Sequence, residues 1–515
     1  MPRVFFLFFF LTTTLSLLSQ EQAEPRESRA VEILKSNKVR IIDSTGTQYR
    51  IFIGDVQFKH EEAYMWCDSA VLSSVEKTLF AYGNVRIEEG DSIVMTGDTL
   101  RYFSGKRLAI MKGNVYLTDQ RLELYTQQLF YETSRRYAYY LSGAKIIDST
   151  TVIISDRGYF EARTDDVTFR DSVVILDPAY NVYADTLRYN LSQKRSYFLG
   201  PTWIVEPNND RIYCETGWFD QLNDEASFGV NTIAYHENQI LYSDSLYYQF
   251  DIGYGQSFDN MRWYDMDNDI KISGDYAEYF QDDNYLLATE DPVLRYRMAD
   301  DSMFLGADIL RSFTPKGDTS RAFLATGDVR IFKSDFQGIC DSFFYSLSDS
   351  TFRMYFDPVI WNAENQLRAD TIFIETRNND IHKMLFRTRS FLVNQTGTGI
   401  FDQIKGTYIT GYFVDGIIDQ MLVDGSAESL YFAKDELGAF IGANYAKSTK
   451  IRMYFVNEEI DQITFIDNPD AVFTPIRSLP KSDRTLADFV WLTEVRPDTP
   501  ESVRRAFVKK ISDYY

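Results

Sequence analysis

Along most of the chain apolar and polar residues alternate with a period of two, as in Thr99-Leu100-Arg101-Tyr102 and Asn114-Val115-Tyr116-Leu117-Thr118. Successive side chains of a strand point to opposite faces, so this period predicts strands with one apolar face. Gly-Asn, Asp-Pro, Ser-Gly and Asn-Asn pairs punctuate the pattern and are expected to turn the chain between strands. Helical periodicity is missing until the C-terminus. There Thr499-Pro500-Glu501, followed by residues 502–511, reads as a capped helix with Thr499 as N-cap and Pro500 at the first helical position.

The alternation is organised into a repeat. One phrase reads small residue, acid, any residue, apolar, any residue, aromatic or aliphatic. It begins at Cys67-Asp68 and Gly97-Asp98-Thr99-Leu100-Arg101-Tyr102, and passes through a degenerate copy, Thr126-Gln127-Gln128-Leu129-Phe130-Tyr131. It continues at Asp156, Ala184-Asp185-Thr186-Leu187-Arg188-Tyr189, Glu215, Ser243-Asp244-Ser245-Leu246-Tyr247-Tyr248, Asp275, Asp308, Asp341 and Ala369-Asp370-Thr371-Ile372-Phe373-Ile374. Successive acid marks lie 29 to 33 residues apart. A second phrase falls about halfway between them: Gly54-Asp55-Val56, Gly83-Asn84-Val85, Gly113-Asn114-Val115, Ser142-Gly143-Ala144, Gly200-Pro201-Thr202, Gly327-Asp328-Val329 and Asp357-Pro358-Val359. A fixed period in this range means stacked supersecondary units. Each unit is expected to be strand, turn, strand, turn, with its apolar faces packed sheet on sheet or curled about a groove.

Composition agrees with strands: aromatic residues make up 16% of the 515, with 35 Tyr and 39 Phe. The net charge of −22 argues against nucleic acid as a partner, because phosphate binding needs a basic surface. It also confines any attraction for an anionic lipid to buried apolar surface. Cys67, Cys214 and Cys340 are far apart and read as small buried hydrophobes, not as a disulfide framework. Residues 1–20 carry one early positive charge, Arg3, then an apolar run and a small-residue exit at Ser16 and Ser19, the pattern of a cleavable export signal. The run is short for the ~20 residues of a spanning helix.

The alternation of Gly83-Asn84-Val85 and Gly113-Asn114-Val115 with Gly97-Asp98-Thr99-Leu100-Arg101-Tyr102 resembles the OstA-like, LptA-type family of periplasmic lipopolysaccharide-transport proteins. That resemblance covers about residues 35–470. It implies a two-sheet β-jelly roll open along one side, with lipid A acyl chains in the interior and end strands that pair with neighbouring transport proteins. The fold expected is therefore all-β: an elongated two-sheet jelly-roll solenoid of ~30-residue repeats with a short C-terminal helical cap. An array would span residues 31–390, longer degenerate repeats 391–475, and a tail with the helix 476–515. A dozen units, each adding about two strand spacings of ~4.8 Å, would extend on the order of 100 Å.

The inward-facing positions expected to line a lipid groove are Leu100, Tyr102, Leu129, Tyr131, Leu187, Tyr189, Leu246, Tyr248, Ile372 and Ile374. The same residues could fill a closed core, and the pattern alone leaves both open. Expected partners are lipopolysaccharide, other lipopolysaccharide-transport proteins by edge-strand pairing, and further copies of the chain. Arg504, Arg505, Lys509 and Lys510 give the tail a basic character that suits either a membrane partner or a cap over the last open strand. No cofactor or metal is expected: calcium wants several oxygen ligands from one tight turn, and each repeat offers about one acid. The acids are expected to serve a sheet corner. His60, His236 and His382 are isolated, which gives little to catalysis. A polysaccharide-cleaving β-helix, working through carboxylates alone, is the enzyme alternative, and a structural or adhesive solenoid with a solid core is the other.

Overall fold

The computed structural model describes residues 31–504, apart from 45, 61–62, 90–92, 121, 282, 299–300, 378–379 and 457–458. The expected export signal and residues 505–511 of the expected helix lie outside the described residues. What is described is strand and turn with four short 3-10 turns, and the strands pair antiparallel with their sequence neighbours. The chain forms two compact units. Unit 1 comprises Met1–Glu237 with Asp244–Ile252, and unit 2 comprises Asn238–Ser243 with Gly253–Tyr515.

Within unit 1 the Gly-Asn pairs do not turn the chain back, as their composition suggests. The strand Thr78–Glu89 runs straight through Gly83-Asn84. Both residues take positive φ, +73° and +47°, and the pairing register slips there against both neighbouring strands. Two left-handed residues insert into the ladder as a bulge, and a bulge bends its strand sharply without ending it. The hairpin turns fall elsewhere, as at 74–77, 104–107 and 133–136. Each ~30-residue repeat is thus two strands of about eleven residues, each bent at its middle. Where the corner is tighter a strand breaks in two, as between Tyr137–Tyr140 and Ala144–Asp148.

The bend converts one ladder into two sheets that share a corner. The half-strands before the corner and those after it turn the same apolar rows towards each other. In unit 2, Ile272, Met303 and Ile331 of one sheet pack in a single core with Leu310, Phe343 and Ile372 of the other. Cross-strand rows run along the interior without a break. In unit 1 one row passes Leu79, Tyr102, Ala109, Tyr131, Ala138 and Phe160. From Tyr102 to Phe160 large and small residues alternate along this row. In unit 2 the inner row nearer the corner passes Leu310, Ala325, Phe343, Met354, Ile372 and Phe386.

Residues 476–504 do not form the last strand's cap. They run as an extended strap over the outer face of one sheet of unit 2, back towards earlier repeats. Leu486 packs with Phe391, Val393 and Phe432, and Leu492 and Val495 pack with Ile339, Val359 and Trp361. Thr499 does accept a hydrogen bond from the Ser502 amide, and Pro500 follows it, so the capped start is present as a 3-10 turn, Pro500–Val503. That turn rests on the strands Ser302–Gly306 and Ala322–Lys333, far from the final strand. Gly306 permits the approach, since a Cβ there would overlap the Val503 carbonyl.

Candidate functional site

The ten residues expected to face inward divide by their distance from the corner. Leu100, Leu129, Leu187, Leu246 and Ile372, two positions after the acid mark, are all buried. So are Tyr189, Tyr248 and Ile374, two positions further out. Tyr102 is half-buried and Tyr131 is 37% exposed. Both belong to the inner row given above, so their exposure reports thinner cover over the early repeats on the side away from the corner. The small residue that opens the phrase is explained by the corner itself. Cys67, Ser155, Ala184, Cys214, Cys340 and Ala369 are buried there, and at Gly97 a Cβ would come within 2.7 Å of the Met111 side chain. The three cysteines are free and buried, and burial pushes the Cys67 and Cys214 thiols up to about 11 and about 12.

On the side opposite the corner the two sheets of unit 2 end in hairpins that approach each other. Between them lies an apolar cavity of about 180 Å³, lined by Met298, Met303, Phe336, Phe343, Phe352, Met354, Ile374 and Ile381 with a polar rim at Lys333, Asp335 and Asp380. Methionine and phenylalanine leave a deformable wall, because thioether chains fill irregular gaps in several rotamers.

Among the described residues the terminal strands are open. Lys38–Ser44 pairs only with Thr47–His60 among the described residues and is exposed throughout, with Ile41 63% exposed. At the other end Glu459–Ile466 and Asp470–Pro475 both pair with Phe440–Val456, and Ile463, Val472 and Phe473 are exposed. Unpaired edges with apolar side chains are templates for another strand.

Compared with known proteins, residues 28–185 match the family described as OstA-like protein. The match covers the bent repeats from the first edge strand to the mark at Asp185. No curated protein matches the chain. Among solved structures, LptH from Pseudomonas aeruginosa, described as the LptA homologous periplasmic component of a lipopolysaccharide transport device, aligns at 14% identity. That alignment covers 25% of this chain and 76% of LptH with a TM-score of 0.14. The WD40 domain of SCAP from fission yeast aligns at 9% identity over 82% of this chain and 97% of its own, with a TM-score of 0.10. At these TM-scores neither overlay bears on the fold.

The corner of the OstA-like segment also gives the acids their role. Asn84 Nδ2 donates to the Asp68 carboxylate at 2.9 Å, and Asn114 Nδ2 to Asp98 at 3.2 Å. Further on, Asn231 pairs with Glu215 at 3.0 Å, Arg157 with Asp171, and Arg389 with both Asp357 and Asp370. The two phrases, half a repeat apart in sequence, therefore meet across one corner. The acid lies directly over the glycine of the next strand: a Cβ at Gly83 or Gly113 would overlap it. Among the described residues no three His, Cys, Asp or Glu side chains gather as a metal site, and no helix is long and apolar enough to cross a membrane.

Sequence reading missed several of these corners. Asp171-Ser172, Val230-Asn231, Asp259-Asn260 and Thr388-Arg389 take the same paired positive φ without a glycine. A signal was present. The second residue of the bulge follows the acid mark by sixteen positions at Asn84, Asn114, Ser172, Asn231 and Asn260, so the offset locates a corner even where the composition hides it.

Proposed function

We propose that the chain is a periplasmic lipopolysaccharide carrier that holds acyl chains between its two sheets and passes them to neighbours paired at its edge strands. The observation that carries this reading is the apolar interior row of bent repeats from Leu79 to Phe160, which lies within the residues similar to the OstA-like family. Each methylene moved from water into such an interior gains ~0.8 kcal/mol, so a multi-chain lipid has ample driving force without any charged headgroup site. This suits a chain of net charge −22. The unpaired edges Lys38–Ser44 and Glu459–Ile466 supply the contact for β-augmentation. We do not read the chain as an enzyme.

The cavity between the unit 2 hairpins is small. A cavity of about 180 Å³ is close to the ~150 Å³ of an engineered apolar cavity that takes up benzene, so it admits a short acyl segment and no more. Loading then requires the hairpin ends around Met298 and Ile381 to part. A structural solenoid with a permanently solid core is the second reading, and the small volume of that cavity favours it. The two separate in one experiment. Photoreactive side chains placed at Ile374 and Met303 should crosslink to lipopolysaccharide in living cells, and one at the outward-facing Arg353 should not. Depletion of the protein should lower surface lipopolysaccharide. Absence of crosslinks at both inner positions, with no lipid co-purifying from membrane extract, would overturn the carrier reading.

A further inference from the structure

The strap is held in an unusual way. It makes no strand ladder with the sheet beneath it, and instead the sheet reaches up with side-chain amides. Gln366, 0% exposed, accepts from the Leu492 amide at 2.8 Å and donates to the Val490 carbonyl at 2.8 Å. Gln403, also 0% exposed, accepts from the Leu486 amide at 2.8 Å and donates to the Arg484 carbonyl at 3.0 Å. A carboxamide carries one acceptor and one donor group in the spacing of a peptide unit, so each glutamine stands in for a neighbouring strand. Guanidinium groups add single contacts: Arg368 donates to the Asp488 carbonyl and Arg330 to the Val495 carbonyl. At the far end the direction reverses, and Arg496 of the strap donates to the buried Gln337 carboxamide at 2.9 Å.

Nearly all of these contacts read main chain. Between them the strap sends leucines six residues apart, Leu486 and Leu492, into separate apolar sockets, one around Phe391 and Phe432 and one around Trp361. Buried glutamines at successive repeats, paired with regularly spaced sockets, make a surface that recognises an extended peptide. Its sequence requirement is an apolar residue at each socket. The strap of this chain is the one sequence shown to meet it, and a second copy carries the same strap.

We propose that the strapped face of unit 2 is a peptide-recognition surface, and that it accepts the strap of a second copy in place of its own. Every contact described above is available in trans, so exchange conserves the bonding and costs chiefly association entropy. Pro475 and Pro480 flank the point where the chain leaves its last strand, and the short proline-bounded segment between them is the kind of hinge at which elements exchange. The inference does not depend on lipid carriage.

Two measurements on full-length chains test it. In the first, a fluorescent peptide of residues 481–504 is titrated into a Leu486→Ala/Leu492→Ala chain, whose own strap is loosened. Binding that saturates at least ~10-fold tighter than to the wild-type chain is expected, since the wild-type sockets are filled by the chain's own leucines and those of the variant are not. Adding Gln366→Leu and Gln403→Leu should remove that binding. Should the doubly substituted chain lose its strand circular dichroism, the second measurement stands by itself. Chains carrying Gln366→Cys are mixed at high concentration with chains carrying Leu492→Cys, and a chain with both cysteines shows that the disulfide closes. Intermolecular disulfide that rises with concentration supports exchange. Closure within one chain but never between chains, or a loosened and folded chain that ignores the peptide, overturns it.

Discussion

Unit 1 and unit 2 build the same bent repeat but treat the outer face of one sheet differently. In unit 1 that face carries a cross-strand row through Tyr116, Tyr125, Lys145, Ile154, Val174, Tyr183, Trp203 and Tyr213. Its rings cover each other: Tyr116 lies 5.1 Å from Tyr125, and Trp203 lies 5.1 Å from Tyr213. Arg211 stacks over Tyr235 at 4.5 Å. Such amphipathic residues leave one edge in water and need no further cover. In unit 2 the equivalent face presents Trp361, Phe391, Val393 and Leu430, fully apolar, and the strap buries them. The repeat itself is indifferent to which solution is used; the residues at the outward positions decide.

The largest effect should come from breaking the covered face. Trp361→Ala empties the socket of Leu492 and leaves Gln366 without the indole donor at 3.2 Å, at a cost of about 3–5 kcal/mol. Trp203→Ala in unit 1 removes a half-buried ring from a wet face and should cost about 1 kcal/mol. A repeat array need not unfold in one step, so the check is native-state hydrogen exchange read separately in the two units. Equal losses in both units would show that the strap adds no cover to the Trp361 socket.

The same contrast was half legible in the sequence. Unit 2 contains runs with no polar partner in the alternation, Val359-Ile360-Trp361 and Phe391-Leu392-Val393, and such runs indicate a strand buried on both faces. Unit 1 mixes one-sided stretches such as Lys145-Ile146 and Asn181-Val182-Tyr183 with similar runs, Val173-Val174-Ile175 and Trp203-Ile204-Val205, so the runs alone do not separate the units. The all-β solenoid and the inward positions followed from period two and the fixed repeat, and the two-sheet jelly roll from the resemblance to the OstA-like family. What covers the second face did not, because the strap has no periodicity, and its anchors Gln337, Gln366 and Gln403 look like ordinary polar strand residues. The corners were misplaced for a different reason. Gly-Asn between two alternating runs reads as a two-residue hairpin turn, and only the pairing register distinguishes a turn from a bulge that two sheets share.

A matched pair of glycines in unit 1 isolates the contribution of the corner acid. Gly113 and Gly143 take nearly the same φ, +77° and +78°. A Cβ at Gly113 would overlap the Asp98 carboxylate, whereas at Gly143 it would meet nothing within 4 Å. Alanine at Gly143 should therefore cost only the left-handed strain, about 1 kcal/mol. At Gly113 it should cost that plus displacement of Asp98 from Asn114, together about 2–3 kcal/mol. Combining Gly113→Ala with Asp98→Ala in a double-mutant cycle should recover part of the difference. If the two alanines prove equally costly in hydrogen exchange of the flanking strands, the acid has no role in the corner.

The smallest expected effect is a pH dependence confined to unit 2. Asp402 lies on the opposite face of its strand from the strap anchor Gln403, and it accepts a hydrogen bond from the Phe432 amide at 2.7 Å. Burial raises its carboxyl to about 6, against the partial opposition of that bond and of Lys434. The sign follows from which state holds the proton more tightly. Above pH 6 Asp402 is charged folded and unfolded, and the folded state bears the desolvation. As pH falls from about 6 towards 4 the folded chain takes up the proton first, so stability rises across that window and levels off below it. Because the side chain is partly open to solvent, on the order of 1 kcal/mol is expected. Asp402→Asn keeps the acceptor for Phe432 and removes the charge. It should be more stable than wild type at pH 7.5, and the two should converge at pH 4. Hydrogen exchange at Phe432 and its neighbours, corrected for intrinsic rates, reads the difference. A variant that stays level with wild type from pH 4 to 7.5 would mean that the Asp402 carboxylate is solvated where the strapped sheet meets its core.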